Sequence, residues 1–132
     1  MARKQSKPKG PPPLHELESE VMEAIWSRGE SSVREVMDAL NARADKPRAY
    51  TTYMTIMARL HQKGVLDRRR EGKTDFYAPK LDREQFMASR AAVEIEGLVA
   101  QYGDVALSHF ARQVAQLDPA RRRALQRLAR KP

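Results

Sequence analysis

The sequence predicts a mainly α fold in two parts: three helices closed by a small two-stranded hairpin, and behind them a run of further helices. Three observations predict it. Apolar residues recur at helical spacing from Leu14 to about Lys63, two short strand-like segments follow Gly64, and helical spacing returns from Phe86 to Leu128. No internal repeat interrupts this order.

The first helix follows from Leu14, Leu17, Val21, Ala24 and Ile25, with Glu16, Glu18, Glu20 and Glu23 between them as charge decoration and Gly29 as its stop. Ser32-Val33-Arg34-Glu35 is a capping box, in which the serine hydroxyl accepts from a free backbone N–H and the glutamate reaches back to the cap. It opens a second helix with Val33, Val36, Met37 and Leu40 on one face. Asn41 to Arg48, containing Pro47, reads as a loop. The third helix, Tyr50 to about Lys63, buries Tyr53, Ile56, Met57 and Leu60, and Gly64 is its C-cap candidate. Val65 to Arg70 and Thr74 to Ala78 are strands joined by Glu71-Gly72-Lys73. Three helices and a hairpin in this order form a winged helix-turn-helix.

The 132 residues carry 25 Lys+Arg against 17 Asp+Glu, a formal net charge of +8, and the pI is near 10.1. Such a balance favours nucleic acid or another anionic surface as partner. The charge is unevenly spread. Residues 1–13 hold four bases, no acid and four prolines, the composition of a disordered basic arm. Residues 14–46 have a net charge of −4 and residues 47–83 one of +5. Cysteine is absent, which excludes disulfides, thiolate zinc sites and cysteine nucleophiles. The longest uncharged stretch, Ala49 to Ala58, is half the ~20 residues that cross a bilayer. Met1-Ala2-Arg3-Lys4 has no apolar run behind it, so a cytoplasmic protein without a secretory signal is expected.

With its apolar side buried, the third helix presents Thr51, Thr52, Met54, Thr55, Ala58, Arg59 and Gln62, and no acid. A helix in the ~12 Å major groove must be slim where it meets bases, and threonine offers a hydroxyl for a base edge and a methyl for thymine. The hairpin adds Arg68 and Arg70 on one side of a strand and Lys73 at the tip, placed to straddle a phosphate backbone. With Arg48 before the helix and Tyr50 at its start, these residues make the expected DNA-binding set: Arg48, Tyr50, Thr51, Thr52, Met54, Thr55, Arg59, Arg68, Arg70 and Lys73.

At these positions the sequence closely resembles the penicillinase-repressor (BlaI/MecI) family. The resemblance lies in LHELESEVMEAIW from Leu14 to Trp26, SVREV from Ser32 to Val36, AYTTYMTIMARL from Ala49 to Leu60, and Lys63-Gly64. It is strong over 14–80 and continues over 84–130 as helical pattern. It implies a homodimeric repressor with winged helices on a palindromic operator, often of β-lactam response genes, and a helical dimerisation region cut when a membrane sensor protease system is triggered. The scissile bond implied is His109-Phe110, with His109 where the family has Asn. Induction through the paired cysteines of the family's copper-responsive branch is excluded, because this chain has none.

The second part stands on its own pattern. Asp82-Arg83-Glu84-Gln85 opens a helix carrying Phe86, Ile95, Leu98 and Tyr102; Asp104 opens one carrying Leu107, Phe110, Val114 and Leu117; Asp118-Pro119 opens a last one with Leu125 and Leu128. Short amphipathic helices need a partner surface, so Ile95, Leu98, Leu107, Phe110, Val114 and Leu117 are the expected dimerisation residues. The expected organisation is a basic arm over 1–13, a winged-helix DNA-binding domain over 14–80 and a dimerisation region over 81–132.

Enzyme constellations fail. Gly72-Lys73-Thr74 echoes a P-loop end, but Asp67 stands where that motif needs glycine, and a strand follows. His15, His61 and His109 are too scattered to share a metal, and no serine lies in a nucleophile elbow. No cofactor or metal is expected. Two functions stay open: a sequence-specific repressor, and a non-specific nucleic-acid-binding architectural protein with a protein-docking helical tail.

Overall fold

A computed structural model of the chain describes residues 10–131. The element order is α1 (Glu16–Arg28), β1 (Ser31–Ser32), α2 (Val33–Asn41), α3 (Tyr50–Gln62), β2 (Leu66–Glu71), β3 (Thr74–Pro79), α4 (Arg83–Tyr102), α5 (Asp104–Ala115) and α6 (Pro119–Ala129). The chain divides into two compact units, up to Ala91 and from Ala92, and the division falls inside α4. Leu81 and Phe86, placed by the sequence with the second region, pack on the core of the first unit. Of the expected arm, Arg3, Lys4, Lys7 and Lys9 lie outside the described residues.

The first unit is built on a core of Val21, Met22, Ile25, Val36, Tyr53, Met57, Leu60 and Leu66, all shielded from solvent. The periodicities place Val21, Ile25, Val36, Tyr53, Met57 and Leu60 on the inner faces of α1, α2 and α3; Met22 joins them from α1 and Leu66 from the start of β2. Burying each large apolar side chain contributes about 1.5–3 kcal/mol. Trp26, in the last turn of α1, is partly buried; its indole N–H donates to the Leu81 carbonyl at 3.0 Å, and its ring centre lies 5.3 Å from that of Phe86. The start of α4 is thereby fastened to α1.

The caps behave as their chemistry asks. The Ser32 hydroxyl accepts from the Glu35 amide at 3.2 Å, and the Ser32 amide donates to the Glu35 carboxylate at 2.9 Å. Those bonds hold the Glu35 carboxyl below the usual carboxylate range. Asp82 and Gln85 exchange the same pair of bonds at the start of α4. Asp118 accepts from the Arg121 amide at 2.9 Å, ahead of Pro119 at the first position of α6.

Two expectations are corrected. The sheet has three strands in the order β1-β3-β2, not two, because Ser31 and Ser32 pair antiparallel with Tyr77 and Phe76. A two-residue strand is too short to show alternation, which is why periodicity could not reveal it. The second correction is Glu18, expected to decorate helix one among the other glutamates. It has no exposed surface, and Lys63 Nζ donates to its two carboxylate oxygens at 2.9 and 2.8 Å, while the His15 amide adds a third bond at 2.9 Å.

In the second unit α5 and α6 bury no residue within the chain, and Ile95, Leu98, Leu107, Phe110 and Val114 are exposed. Leu117 is half-buried. No helix among the described residues is long and apolar enough to cross a membrane.

Candidate nucleic-acid interface

Helix α3 is placed by its buried side and by a clasp at its start. The Asn41 side chain donates to the Arg48 carbonyl at 2.9 Å and accepts from the Arg48 amide at 3.0 Å and from the Tyr53 hydroxyl at 2.8 Å. One asparagine thus closes the turn between α2 and α3 and satisfies the hydroxyl of a tyrosine buried in the core. No side chain caps α3, whose N-cap is Ala49. Its first amides, at the positive end of the helix dipole, remain available to an anion.

Thr51, Met54, Thr55 and Arg59 are exposed along the outer face of α3, while Thr52 and Ala58 are half-buried. The wing follows with glycine at the first loop position: Gly72 has φ 62, and Glu71 pairs with Thr74 across the two-residue tip. That is the arrangement a type II′ turn uses, and it carries Lys73 to the end of the hairpin.

The strand register sorts the wing arginines. Arg68 opposes Tyr77, Arg69 opposes Phe76 and Arg70 opposes Asp75, so Arg69 points to the other face from its two neighbours. There Arg69 is occupied: it pairs with Glu30 at 2.7 Å and Glu71 at 2.8 Å, and its guanidinium lies 5.0 Å from the Phe76 ring centre. The hydrogen bonds from Arg69 hold Glu30 below the usual carboxylate range, and those to Glu30 and Glu71 push Arg69 higher still. Arg70 approaches Asp75 only at 3.9 Å, and Arg68 has no ion pair among the described residues. Of the three adjacent arginines, Arg68 is the one left without a carboxylate partner.

A groove of about 400 Å³ runs between α2, α3 and the wing, lined by Arg34, Tyr50, Met54, Lys73, Asp75 and Tyr77 together with Ser32, Val33 and Thr74. It unites Tyr50, Met54 and Lys73 of the expected set. Arg34 joins them although sequence reasoning passed it over as the interior of a capping box. Its guanidinium lies 5.7 Å from the Tyr50 ring centre, a cation–π placement on the exposed start of α3. The available signal was its position, two residues after the cap in the first turn of α2.

Arg48 lies elsewhere. It lines a cleft with Glu16, Glu20, Glu23 and Arg43, and its guanidinium is 3.8 Å from Glu20. Among the described residues no cluster of His, Asp or Glu could hold a metal ion.

A family model described as penicillinase repressor matches residues 14–131. The chain belongs to the penicillinase repressor family. It is a DNA-binding transcriptional repressor, and members of this family are not enzymes. The transcriptional regulator BlaI of Mycobacterium tuberculosis is 39% identical over 122 residues, covering 87% of the repressor and 84% of that relative. The penicillinase repressor of Bacillus licheniformis is 30% identical over 77 residues, 58% of each chain. Among solved structures, the monomeric form of Bacillus licheniformis BlaI in complex with the blaP half-operator aligns over 57% of the repressor and 89% of that chain. Its identity is 29% and its TM-score 0.47.

Proposed function

We propose that the repressor acts in the cytoplasm as a homodimer on a palindromic operator, with α3 of each subunit in the major groove. Thr51, Thr55 and Arg59 read base edges, and Arg34, Arg68 and Lys73 hold the backbone on either side. The observation that carries this reading is the groove in which α2, the start of α3 and the wing tip converge beside an acid-free helix face. Dimerisation runs through residues 92–131, whose exposed Leu107, Phe110 and Val114 are too apolar to stay in water. β-lactam response genes are the proposed targets. Cleavage at His109-Phe110, driven by a membrane sensor protease system, would remove the link between the two winged helices and with it the tight binding that two half-sites provide.

The test is selection of binding sites from random duplexes by the full chain. Enrichment of a symmetric site with half-sites about one helical turn or a multiple apart is expected. Recovery of no site would sink the proposal in favour of non-specific architectural binding.

A further inference from the structure

Helix α6 carries a charge pattern that helix stability does not explain. Residues 119–131 hold six cations, Arg121, Arg122, Arg123, Arg127, Arg130 and Lys131, and no acid. Arg127 and Arg130, at the C-terminal end, complement the negative pole of the helix dipole. Arg121, Arg122 and Arg123 sit at the opposite pole, where cations are disfavoured and where helices usually place Asp or Glu. Arg123 and Arg127 are four apart, Arg127 and Arg130 three apart, so each repels the next along one side of the helix.

Apart from Asp118 at the N-cap, no carboxylate among the described residues offsets this through an ion pair. In the first unit Arg48, Lys63, Arg69, Arg70, Lys80 and Arg83 stand 2.7–3.9 Å from a carboxylate. None of the six cations of 119–131 has an ion pair among the described residues; Arg122 donates to the Ala115 carbonyl at 3.2 Å, and the Asp118 side chain is engaged by the Arg121 backbone amide. Arg123, Arg127 and Arg130 are exposed. They form a stripe about 10 Å long at the helical rise of about 1.5 Å per residue.

From this we infer that the Arg123–Arg127–Arg130 stripe is a second DNA-backbone contact, outside the winged helix. This rests on the DNA-binding reading above. An open, linear row of guanidinia suits a linear polyanion better than a small anion, which would call for an enclosed site. A membrane surface fits less well. The only large apolar residues of α6 are Leu125 and Leu128, and Arg121, four and seven residues before them, stands on the same side and would be carried into the lipid. Duplex DNA is the polyanion the molecule already holds, so once the winged helices are bound, a tethered stripe meets it at high effective concentration.

The experiment titrates the full chain against a random-sequence 60-base-pair duplex over a range of salt. It compares the wild type with R123Q/R127Q/R130Q, R123K/R127K/R130K and a wing control, R68Q/K73Q, after sedimentation has matched their oligomeric states. Each phosphate contact contributes about 0.9 to the slope of log affinity against log salt. The glutamine triple should therefore flatten the slope by about two or more, and the lysine triple should keep it. An unchanged slope in the glutamine triple, with a flatter one in the wing control, overturns this inference alone. Wild type that binds no duplex at all overturns the DNA-binding reading with it. Loss of binding to phosphatidylserine vesicles with an unchanged DNA slope would reassign the stripe to a membrane surface and overturn the inference.

Discussion

Lys63, just past the end of α3, grips Glu18 on α1 through both carboxylate oxygens, and the carboxylate has no exposed surface while the lysine side chain keeps a quarter of its own. A charge taken out of water this completely is tolerated because its acceptor sites are used: Lys63 occupies both oxygens and the His15 amide adds a bond to one. Burial pushes the Glu18 carboxyl up, but the bonds from Lys63 and His15 outweigh it and hold the group below the usual carboxylate range. The pair anchors the far end of the recognition helix to α1.

Lys63→Met should therefore strand a buried carboxylate. We expect a loss of about 3 kcal/mol at pH 7, the low end for breaking a buried pair because Lys63 is partly solvated. The folded-state value of Glu18 is depressed, so its contribution is full above the unfolded value of about 4.3 and is lost as pH falls through the folded value. Urea unfolding of both proteins at pH 7 and below pH 4 measures this. A deficit that fails to shrink in acid would show that the pair does not stabilise through charge.

Reading and holding should separate on α3 and the wing. Thr55→Ala is expected to cost on the order of 1 kcal/mol on a selected operator and little on random DNA, the low end for one base contact. Arg68→Ala should weaken both duplexes alike and lower the salt slope by about one. Equal losses of Thr55→Ala on both DNAs would take α3 out of the major groove.

Arg34→Ala tests the groove. Its guanidinium should act as a backbone contact and as a brace for Tyr50, so affinity falls on cognate and random duplexes together. Tyr50→Leu, which removes the aromatic face but leaves the arginine, should cost less than Arg34→Ala. The opposite ranking in a titration would make Tyr50 the contact and Arg34 its support.

Leu107→Asp should place a charge in the proposed subunit contact. Sedimentation at micromolar concentration is expected to show a dimer for the wild type and a monomer for the variant, with operator affinity reduced by loss of the second half-site. A monomeric wild type would remove the basis for a palindromic operator.

The three-helix-and-wing order was legible because each element announces itself locally, through the Ser32–Glu35 box, the glycines at 29, 64 and 72, and apolar stripes at helical spacing. The outward face of α3 followed by subtraction, and so did the basic wing. What stayed hidden depended on contacts distant in sequence. Glu18 looks like its neighbouring glutamates until Lys63 arrives from α3. Arg69 looks like Arg68 and Arg70 until strand register turns it toward Glu30. Arg34 becomes part of a site only when Lys73 folds back toward it, and Phe86 joins the first unit only because Trp26 is waiting for it.

Ser32 serves two masters at once: it caps α2 through its side chain and pairs with Phe76 as the last residue of β1. Length changes among related chains should therefore be tolerated very unevenly. A residue inserted at the Gly72-Lys73 tip lengthens only an exposed turn, and one inserted in the Arg43–Lys46 stretch lengthens a loop that the Asn41 clasp can still close. One inserted between Gly29 and Val33 shifts the strand by one register step and turns its side chains to the other face. The hydroxyl would then leave the Glu35 amide or the strand would leave β3. Two serines thus hold the wing at one distance from the helices, and evolution can vary the reach of the wing far more easily than its seat.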